Sequence, residues 1–429
     1  MKKRALVLAG GGTRGIYQLG VLEALREINE YRFDIITGTS VGALNALMLV
    51  QHDFEAMQDM YEHLKADQII NGFVPSDMNV TSLFRERDQL IPSFKTWLNQ
   101  HGVDIRPLEE MVHKYYHEDK FFSSEIEFGC IAATMRGHDP VYVTKEMMKD
   151  GTAEDWLIAS ASAFPVFPAR EINGVEYVDG GYFDNFPVDF ALRLGAEEII
   201  AIDLSFEPRH PNYLGRKNII YIHPHEELFK FLDFDKEKMR HARRIGYLDA
   251  MKAFGRLQGE NYAFAPFEMP KWFDAWYRDV LLLETRIKLA NGINGQLRSS
   301  QYVTDKIKMM YHVSKLTDEQ YLYGMMDTLM ELCGCDNEKV YEYYEARNWV
   351  LANFAAAADE NYMMMPSGIT DIPAYIHTLD IKGVIMKMIH SSLYPQHSII
   401  SEDVVLTLYP FEKAAADFVT YAMKELLEE

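Results

Sequence analysis

The sequence predicts an α/β protein: a three-layer α/β/α domain with a mostly parallel sheet over residues 1–225, followed by a helical region over 226–429 packed on it. Three observations carry this. Through the first half, short apolar runs alternate with stretches of helical periodicity, the pattern of parallel strands whose crossovers are helices. Two of the strand-to-helix junctions are rich in glycine. After about residue 226, strand-like runs nearly vanish, and long Met-, Leu-, Tyr- and Lys-rich helical stretches take over.

Arg4–Ala9 (RALVLA) is a short apolar run closed by glycines and reads as a buried strand. Ile16, Leu19, Leu22, Leu25 and Ile28 then recur at helical spacing. Phe33–Thr37 reads as a second strand, and Val41–Val50 as an apolar helix close behind it. Residues 52–125 are expected to be mostly helical with irregular pieces. Asp104 and Pro107 mark one helix start there, since a first turn has no use for the N–H that proline lacks. Ile126–Ala133 and Val141–Thr144 are strand candidates, and Asp155–Ser162 is a small-residue helix stopped by Pro165 and Pro168. Val175–Val178, Glu198–Leu204 and Asn218–His223 are further strands. In the helical half the methionines read as adaptable core. Trp272, Phe273, Trp276 and Tyr277 read there as a helix packing face.

The 429-residue chain has a formal net charge of −21, with 48% hydrophobic and 25% charged residues. That is the balance of a globular protein able to bury a large core. The charge argues against nucleic-acid binding, which needs a basic face. It also argues against adsorption to anionic membrane by global charge, while leaving room for a local patch that meets lipid. Cys130, Cys333 and Cys335 are too few for a disulfide framework, and Cys333-Gly334-Cys335 lacks the further ligands of a closed zinc site, so the pair reads as incidental. The apolar run behind Met1-Lys2-Lys3-Arg4 is shorter than the about 7–15 residues of a signal-peptide core. No run reaches the about 18 apolar residues that cross a bilayer. A cytoplasmic location is the expectation, and the oligomeric state is left open.

Gly38-Thr39-Ser40-Val41-Gly42 is a G-x-S-x-G sequence at a strand-to-helix junction. Such a turn is too sharp for side chains beside the serine, so Gly38 and Gly42 flank it. The hydroxyl then stands at the sheet's carboxyl edge and at a helix N-terminus, where the dipole favours developing negative charge. Ser40 is the candidate nucleophile. Gly10-Gly11-Gly12-Thr13-Arg14-Gly15 has two readings. Consecutive glycines can aim several N–H groups at one point, as an oxyanion hole requires. Gly10, Gly12 and Gly15 also fit the G-x-G-x-x-G fingerprint of a dinucleotide-binding oxidoreductase. That fingerprint wants an acid at the far end of the second strand; the available one, Asp34, starts it.

A serine needs a base. Asp179, in Tyr177-Val178-Asp179-Gly180-Gly181 at a strand end, followed by His210, His223 or His225, would give the Ser–Asp–His order of an α/β-hydrolase esterase. Only one strand precedes the Ser40 strand, fewer than that fold is expected to have. Asp179 alone can take the serine proton if a dry site raises its pKa. A plain Asp-Gly turn is the bland alternative, and a non-catalytic interaction protein that kept the fold is a further one.

Taken together, GGGTRG at 10–15, GTSVG at 38–42 and DGG at 179–181 resemble the patatin-like phospholipase family, bacterial type. Ala159–Pro168 and Asn185-Phe186-Pro187 are similar too, and the resemblance covers about residues 4–225. It implies a Ser40–Asp179 dyad with no catalytic histidine, metal or cofactor. Ser40 would attack the ester carbonyl, and Asp179 would serve as general base and then acid. The Gly11 and Gly12 amides would bind the oxyanion, with Arg14 close by, while Gly10, Gly15, Gly38, Gly42, Gly180 and Gly181 support the motifs. The implied activity is hydrolysis of carboxylic esters in lipids through an acyl-enzyme, of phospholipase A or esterase type. The implied partner is a lipid or acyl-ester substrate, met in solution or at a membrane surface. Ile245-Gly246-Tyr247 is also similar to bacterial members. Trp156, Phe164, Phe167 and Phe183 are expected to serve core packing, and His223 and His225 to be loop residues.

Overall fold

A computed structural model describes residues 2–69, 104–137, 139–294, 302–360, 362, 379–398 and 408–428. The chain divides into two compact units, Met1–Phe254 and Gly255–Glu429.

The first unit is built on eight strands: β1 (Arg4–Leu8), β2 (Ile35–Thr39), β3 (Glu127–Thr134), β4 (Pro140–Thr144), β5 (Arg170–Ile172), β6 (Val175–Asp179), β7 (Glu198–Ile202) and β8 (Ile219–Ile222). They run in the order β5-β6-β3-β2-β1-β7-β8, with β4 also on β3. Strands β3, β2, β1, β7 and β8 are parallel neighbours. β4 and β6 run antiparallel to β3, and β5 antiparallel to β6. The sheet is therefore mixed but mostly parallel, as the alternation of elements predicts. Three-residue β5 is too short to show an alternation and is not visible in the sequence.

The helices of this unit are α1 (Ile16–Glu27), α2 (Val41–Val50), α3 (Phe54–His63), α4 (Arg106–Tyr115), α5 (Glu118–Ser123), α6 (Ala153–Ser160), α7 (Val188–Arg193) and α8 (Lys236–Ala253). Pro107 sits in the first turn of α4 as expected. Of the stretch 52–125, residues 70–103 lie outside the described residues. Strand β2 separates two of the layers, because successive side chains point to opposite faces. On one face the Thr37 and Thr39 hydroxyls donate to Pro187 O (3.2 Å) and Asp184 O (3.0 Å), at the entry to α7. On the other, a Cβ on Gly38 would stand 2.3 Å from Gly42 O in α2.

Helices α1 and α8 cross with almost nothing between them. A Cβ on Gly20 would lie 1.8 Å from Arg243 O, and one on Gly246 2.2 Å from Tyr17 O. Around this crossing the Tyr17 hydroxyl donates to Asp249 (2.8 Å), Tyr247 to Glu27 (2.8 Å) and Arg243 Nε to Glu23 (2.9 Å). The Ile245-Gly246-Tyr247 segment thus serves the sheet unit, and the border falls after Phe254, later than the 225 at which strand-like sequence stops. A helix that clamps a sheet domain has no sequence mark to separate it from the helices of the next unit.

The second unit holds six long helices among the described residues: α9 (Phe273–Asn294), α10 (Val303–Tyr311), α11 (Asp318–Leu332), α12 (Tyr343–Phe354), α13 (Ile381–Leu393) and α14 (Pro410–Glu428). Its core contains Trp276, Phe264, Phe354 and Phe418, with Met325, Met326, Met330 and Met388 buried among them. Trp272, Phe273 and Trp276 are buried too, and Trp276 Nε1 donates to Ala414 O at 2.9 Å. Met325, Met326, Met330 and Met388 and this aromatic face are core, as expected, whereas Met309 is exposed. Cys130, Cys333 and Cys335 are free thiols. Among the described residues no helix is long and apolar enough to cross a membrane, and no cluster of His, Cys, Asp or Glu is placed to hold a metal ion.

Candidate active site

Strand register brings three loops to one level. Leu8 pairs with Gly38, and Thr39 with Ile131. Gly10 is therefore level with Ser40, and a Cβ on Gly10 would stand 3.1 Å from Ser40 Cβ. Asp179 pairs with Ala132, one residue past Ile131, and so is level with Ser40 as well. The sequence places Asp179 at a carboxyl edge beside Ser40, but the route is different. Strand β6 runs against β3 and meets on it only Ala132, Ala133 and Thr134, the last three residues of β3, so its own end descends to the level of Ser40 and stops there.

Ser40 has φ 56° and ψ −127°, a conformation that β-strand and helix residues avoid. Two close approaches hold it there. A Cβ on Gly38 would strike Gly42 O, and one on Gly42 would stand 2.3 Å from Leu8 O. The glycines are thus sites of backbone-on-backbone packing. A third support was not foreseen: the Ser40 N–H donates to Ser160 Oγ (3.1 Å), and Ser160 Oγ donates to Ile131 O (2.7 Å). Two residues on, Ser162 O accepts from the Asp179 N–H at 2.9 Å. The Ala159–Pro168 stretch therefore grips both Ser40 and Asp179. Its small residues at a helix end were the signal that could have revealed this.

In the glycine loop, the Gly10 N–H donates to Asn185 O (2.9 Å) and the Thr13 N–H to Phe231 O (2.9 Å). Among the described residues no backbone carbonyl accepts from the Gly11 or Gly12 amide between them. Asn185 Nδ2 donates to Gly10 O (3.1 Å), so the residue after Asp184 ties this loop to the Asp179 side. Gly12 has φ +59°, and a Cβ there would lie 2.2 Å from Phe231 O. At Gly15 a Cβ would meet the Tyr61 hydroxyl at 2.4 Å. Arg14 Nε donates to Gly11 O (3.1 Å), which makes it a brace for the loop carbonyl. Burial, then the neighbouring Arg209, bring the Arg14 pKa down to about 10, still charged at neutral pH.

Asp179 is 2% exposed. Burial raises its pKa to about 7, against the downward pull of hydrogen bonds from the Gly181 N–H and the Ser40 hydroxyl. Its Oδ1 accepts from Gly181 N–H at 2.7 Å. Gly180 has to be glycine, since a Cβ would stand 2.2 Å from Ile131 O. The three histidines of the triad alternative have other partners. His210 Nε2 lies 4.0 Å from Asp184, His223 Nδ1 3.1 Å from Pro224 O, and His225 Nδ1 2.9 Å from Asp249. Burial and then His225 lower the His223 pKa to about 4, so it is neutral at pH 7. Asp34, the acid a dinucleotide fold would need, accepts from the Arg4 N–H at 2.8 Å, at the opposite end of β1 from the glycine loop.

An apolar cavity opens beside Ser40, with Leu44, Met60, Leu108, Phe167, Phe231 and Leu232 in its wall. Phe167 is buried, but as cavity lining and not only as core. Trp156 is core, its ring 4.8 Å from that of Tyr177. Phe164 is half-buried, and Phe183, expected in the core, is 52% exposed: it follows the turn Gly180–Tyr182 that carries the chain off the sheet.

A serine at a strained strand-to-helix turn, two loop amides with no backbone acceptor among the described residues and a buried carboxylate near neutrality are the parts that serine-based acyl transfer needs. Residues 6–192 match the family model described as patatin-like phospholipase, and the chain carries a patatin-like phospholipase domain. Similar proteins include lysophospholipase NTE1 of Debaryomyces hansenii, 28% identical over 215 residues, covering 49% of this chain and 12% of that protein. Patatin-like phospholipase domain-containing protein 7 of Rattus norvegicus is 29% identical over 205 residues, covering 47% of this chain and 13% of that one. The chain thus matches about an eighth of the length of these relatives. Among solved structures, VipD from Legionella pneumophila aligns over 96% of this chain and 91% of its own, at 14% identity and a TM-score of 0.38.

Proposed function

We propose that this chain hydrolyses carboxylic esters of acyl lipids with Ser40 as nucleophile and Asp179 as its base. The observation that carries this is the buried Asp179 carboxylate, level with Ser40 in the sheet, hydrogen-bonded by its hydroxyl and titrating near 7. A base of that pKa is ionised enough at neutral pH to take the serine proton and acidic enough to return it to the departing alcohol. Ser40 Oγ forms the new C–O bond as Asp179 takes its proton. The tetrahedral oxyanion is received by the Gly11 and Gly12 amides. Collapse expels the alcohol, protonated by Asp179, and leaves an acyl group on Ser40. Water, deprotonated by Asp179, then attacks that acyl group; the bond from the acyl carbon to Ser40 Oγ breaks, Asp179 returns the proton to Oγ, and the acid is released. The apolar cavity beside Ser40 supports an acyl chain as the bound group, and the names of the relatives support a phospholipid or lysophospholipid as the ester.

Incubation with a fluorophosphonate probe tests the reading. A single adduct is expected, mapped to Ser40 by peptide mass spectrometry and lost in Ser40→Ala. A folded sample with no adduct on Ser40 would falsify it.

A further inference from the structure

We infer that residues 226–235 form a strap that sets the acyl length Ser40 accepts, with Phe231 and Leu232 as the specificity-determining residues; this rests on Ser40 being the nucleophile. The strap lies outside the matched domain at 6–192 and beyond the similarity of the motifs. It contains Leu228, Phe229, Phe231, Leu232 and Phe234, all half-buried, and has no helix or strand. Phe231 and Leu232 face the same cavity as Ser40.

Size comes first. The cavity encloses about 60 Å³, well under the about 150 Å³ of an apolar cavity that holds one benzene molecule. An acyl tail of a few carbons fills it, and a longer one needs a wall to give. The walls differ in how they can. Leu44 on α2, Met60 on α3 and Leu108 on α4 are each under 7% exposed and belong to the packed core. Displacing them would open voids or overpack neighbours. Phe231 and Leu232 have solvent on one side and irregular backbone behind them, so outward displacement costs least there.

The strap is nevertheless fixed at one point. Phe231 O accepts from both the Thr13 N–H (2.9 Å) and Thr13 Oγ1 (3.0 Å), directly against Gly12. This pins the Phe231 ring over the glycine loop and makes the wall definite in the resting protein. Leu232, next along the chain, is the adjustable part of the wall.

The test is kcat/KM of the full chain on monomeric p-nitrophenyl esters from acetyl to decanoyl, read as the decanoyl-to-butyryl ratio. Leu232→Ala is expected to raise the ratio and Leu232→Trp to lower it, each about tenfold, the scale of one or two methylenes in an apolar pocket. Phe234→Ala, in the same strap but not in the cavity wall, is expected to keep the wild-type ratio. If Leu232→Trp fails to fold, Leu232→Phe gives the same direction. Folded Leu232 variants with an unchanged ratio overturn the inference. So does a Phe234→Ala shift as large as that of Leu232→Ala, or a ratio governed by Met60→Ala instead, which would place the give inside the core. Fluorophosphonate labelling of the same samples separates the two claims. A Ser40 adduct with flat ratios sinks the strap alone, whereas no adduct in the wild type sinks the nucleophile and the strap with it.

Discussion

Ser40 and Asp179 are brought to one level by opposite means. Ser40 is held by backbone. Parallel strands β1 and β2 set its height, and glycines let carbonyls approach where a Cβ would stand at 2.3 Å. Asp179 is held by a short antiparallel strand with three partners on β3, by Ser162 O on its amide and by the Gly181 N–H on its carboxylate. The difference teaches what each arm stores. The serine arm stores conformational strain, at φ 56°. The aspartate arm stores electrostatic cost, a carboxyl group buried with no cation against it among the described residues and hence raised to about 7.

Asp179→Asn breaks the comparison most severely. It removes the base, so turnover is expected to fall by about a thousandfold or more, within the range of lost general-base catalysis. The same change should stabilise the fold, because the folded protein no longer has to bury a charge. The pH dependence follows from the raised pKa. Below the ordinary carboxyl pKa of 3.8 the group is neutral folded or unfolded, and Asp and Asn variants differ little. From there up to about 7 the folded state holds its proton more tightly than the unfolded one, so the wild type loses stability relative to Asn; above about 7 the gap is constant. Thermal unfolding at pH 4 and pH 8 reads this, and kcat/KM of the wild type should rise with pH through about 7. Equal unfolding temperatures at pH 8 would mean that the aspartate arm carries no electrostatic cost.

The serine arm was legible because its constraint is written in glycines. Gly38 and Gly42 mark places where backbone meets backbone, and Gly10, Gly12 and Gly15 places where a neighbour comes too close for any Cβ; residue type reports both directly. The role of Asp179 was legible only as a motif. Its height depends on how many residues of β3 it pairs with, and its pKa on what covers it; neither is a property of the residues 177–181 themselves. Ser160 was invisible as a brace because a serine at a helix end serves equally as a cap or a turn. Phe231 and Leu232 were invisible for another reason. They lie nearly 200 residues from Ser40 in the chain, in a segment whose apolar run looks like the start of the helical half.

Ser160→Ala tests whether the serine arm is backbone alone. The substitution leaves the Ser40 N–H without its acceptor and Ile131 O without the hydroxyl donor, a loss of about 1–3 kcal/mol if nothing replaces them. Turnover should fall about tenfold while fluorophosphonate still labels Ser40, slowly. An unchanged rate and unfolding temperature would show that glycine packing suffices to hold the turn.

The smallest expected effect sits between the two arms, at Thr13. Its side chain and amide share one acceptor, Phe231 O. Thr13→Val keeps the shape and the amide bond and deletes only the hydroxyl bond. Because Phe231 O still has one donor, the cost should be at the low end for a buried hydrogen bond, about 0.5–1 kcal/mol, or about 1–4 °C in unfolding temperature for a unit of this size. The effect on rate distinguishes a local loss from a transmitted one. If the pin also fixes the Gly11–Gly12 amides, kcat should fall a few fold on short and long esters alike, and Thr13→Ser should restore it. If the pin fixes only the strap, butyryl turnover should hold and only the decanoyl-to-butyryl ratio should move. The first outcome joins the glycine loop and the strap into one device; the second leaves the strained serine arm independent of everything after residue 225.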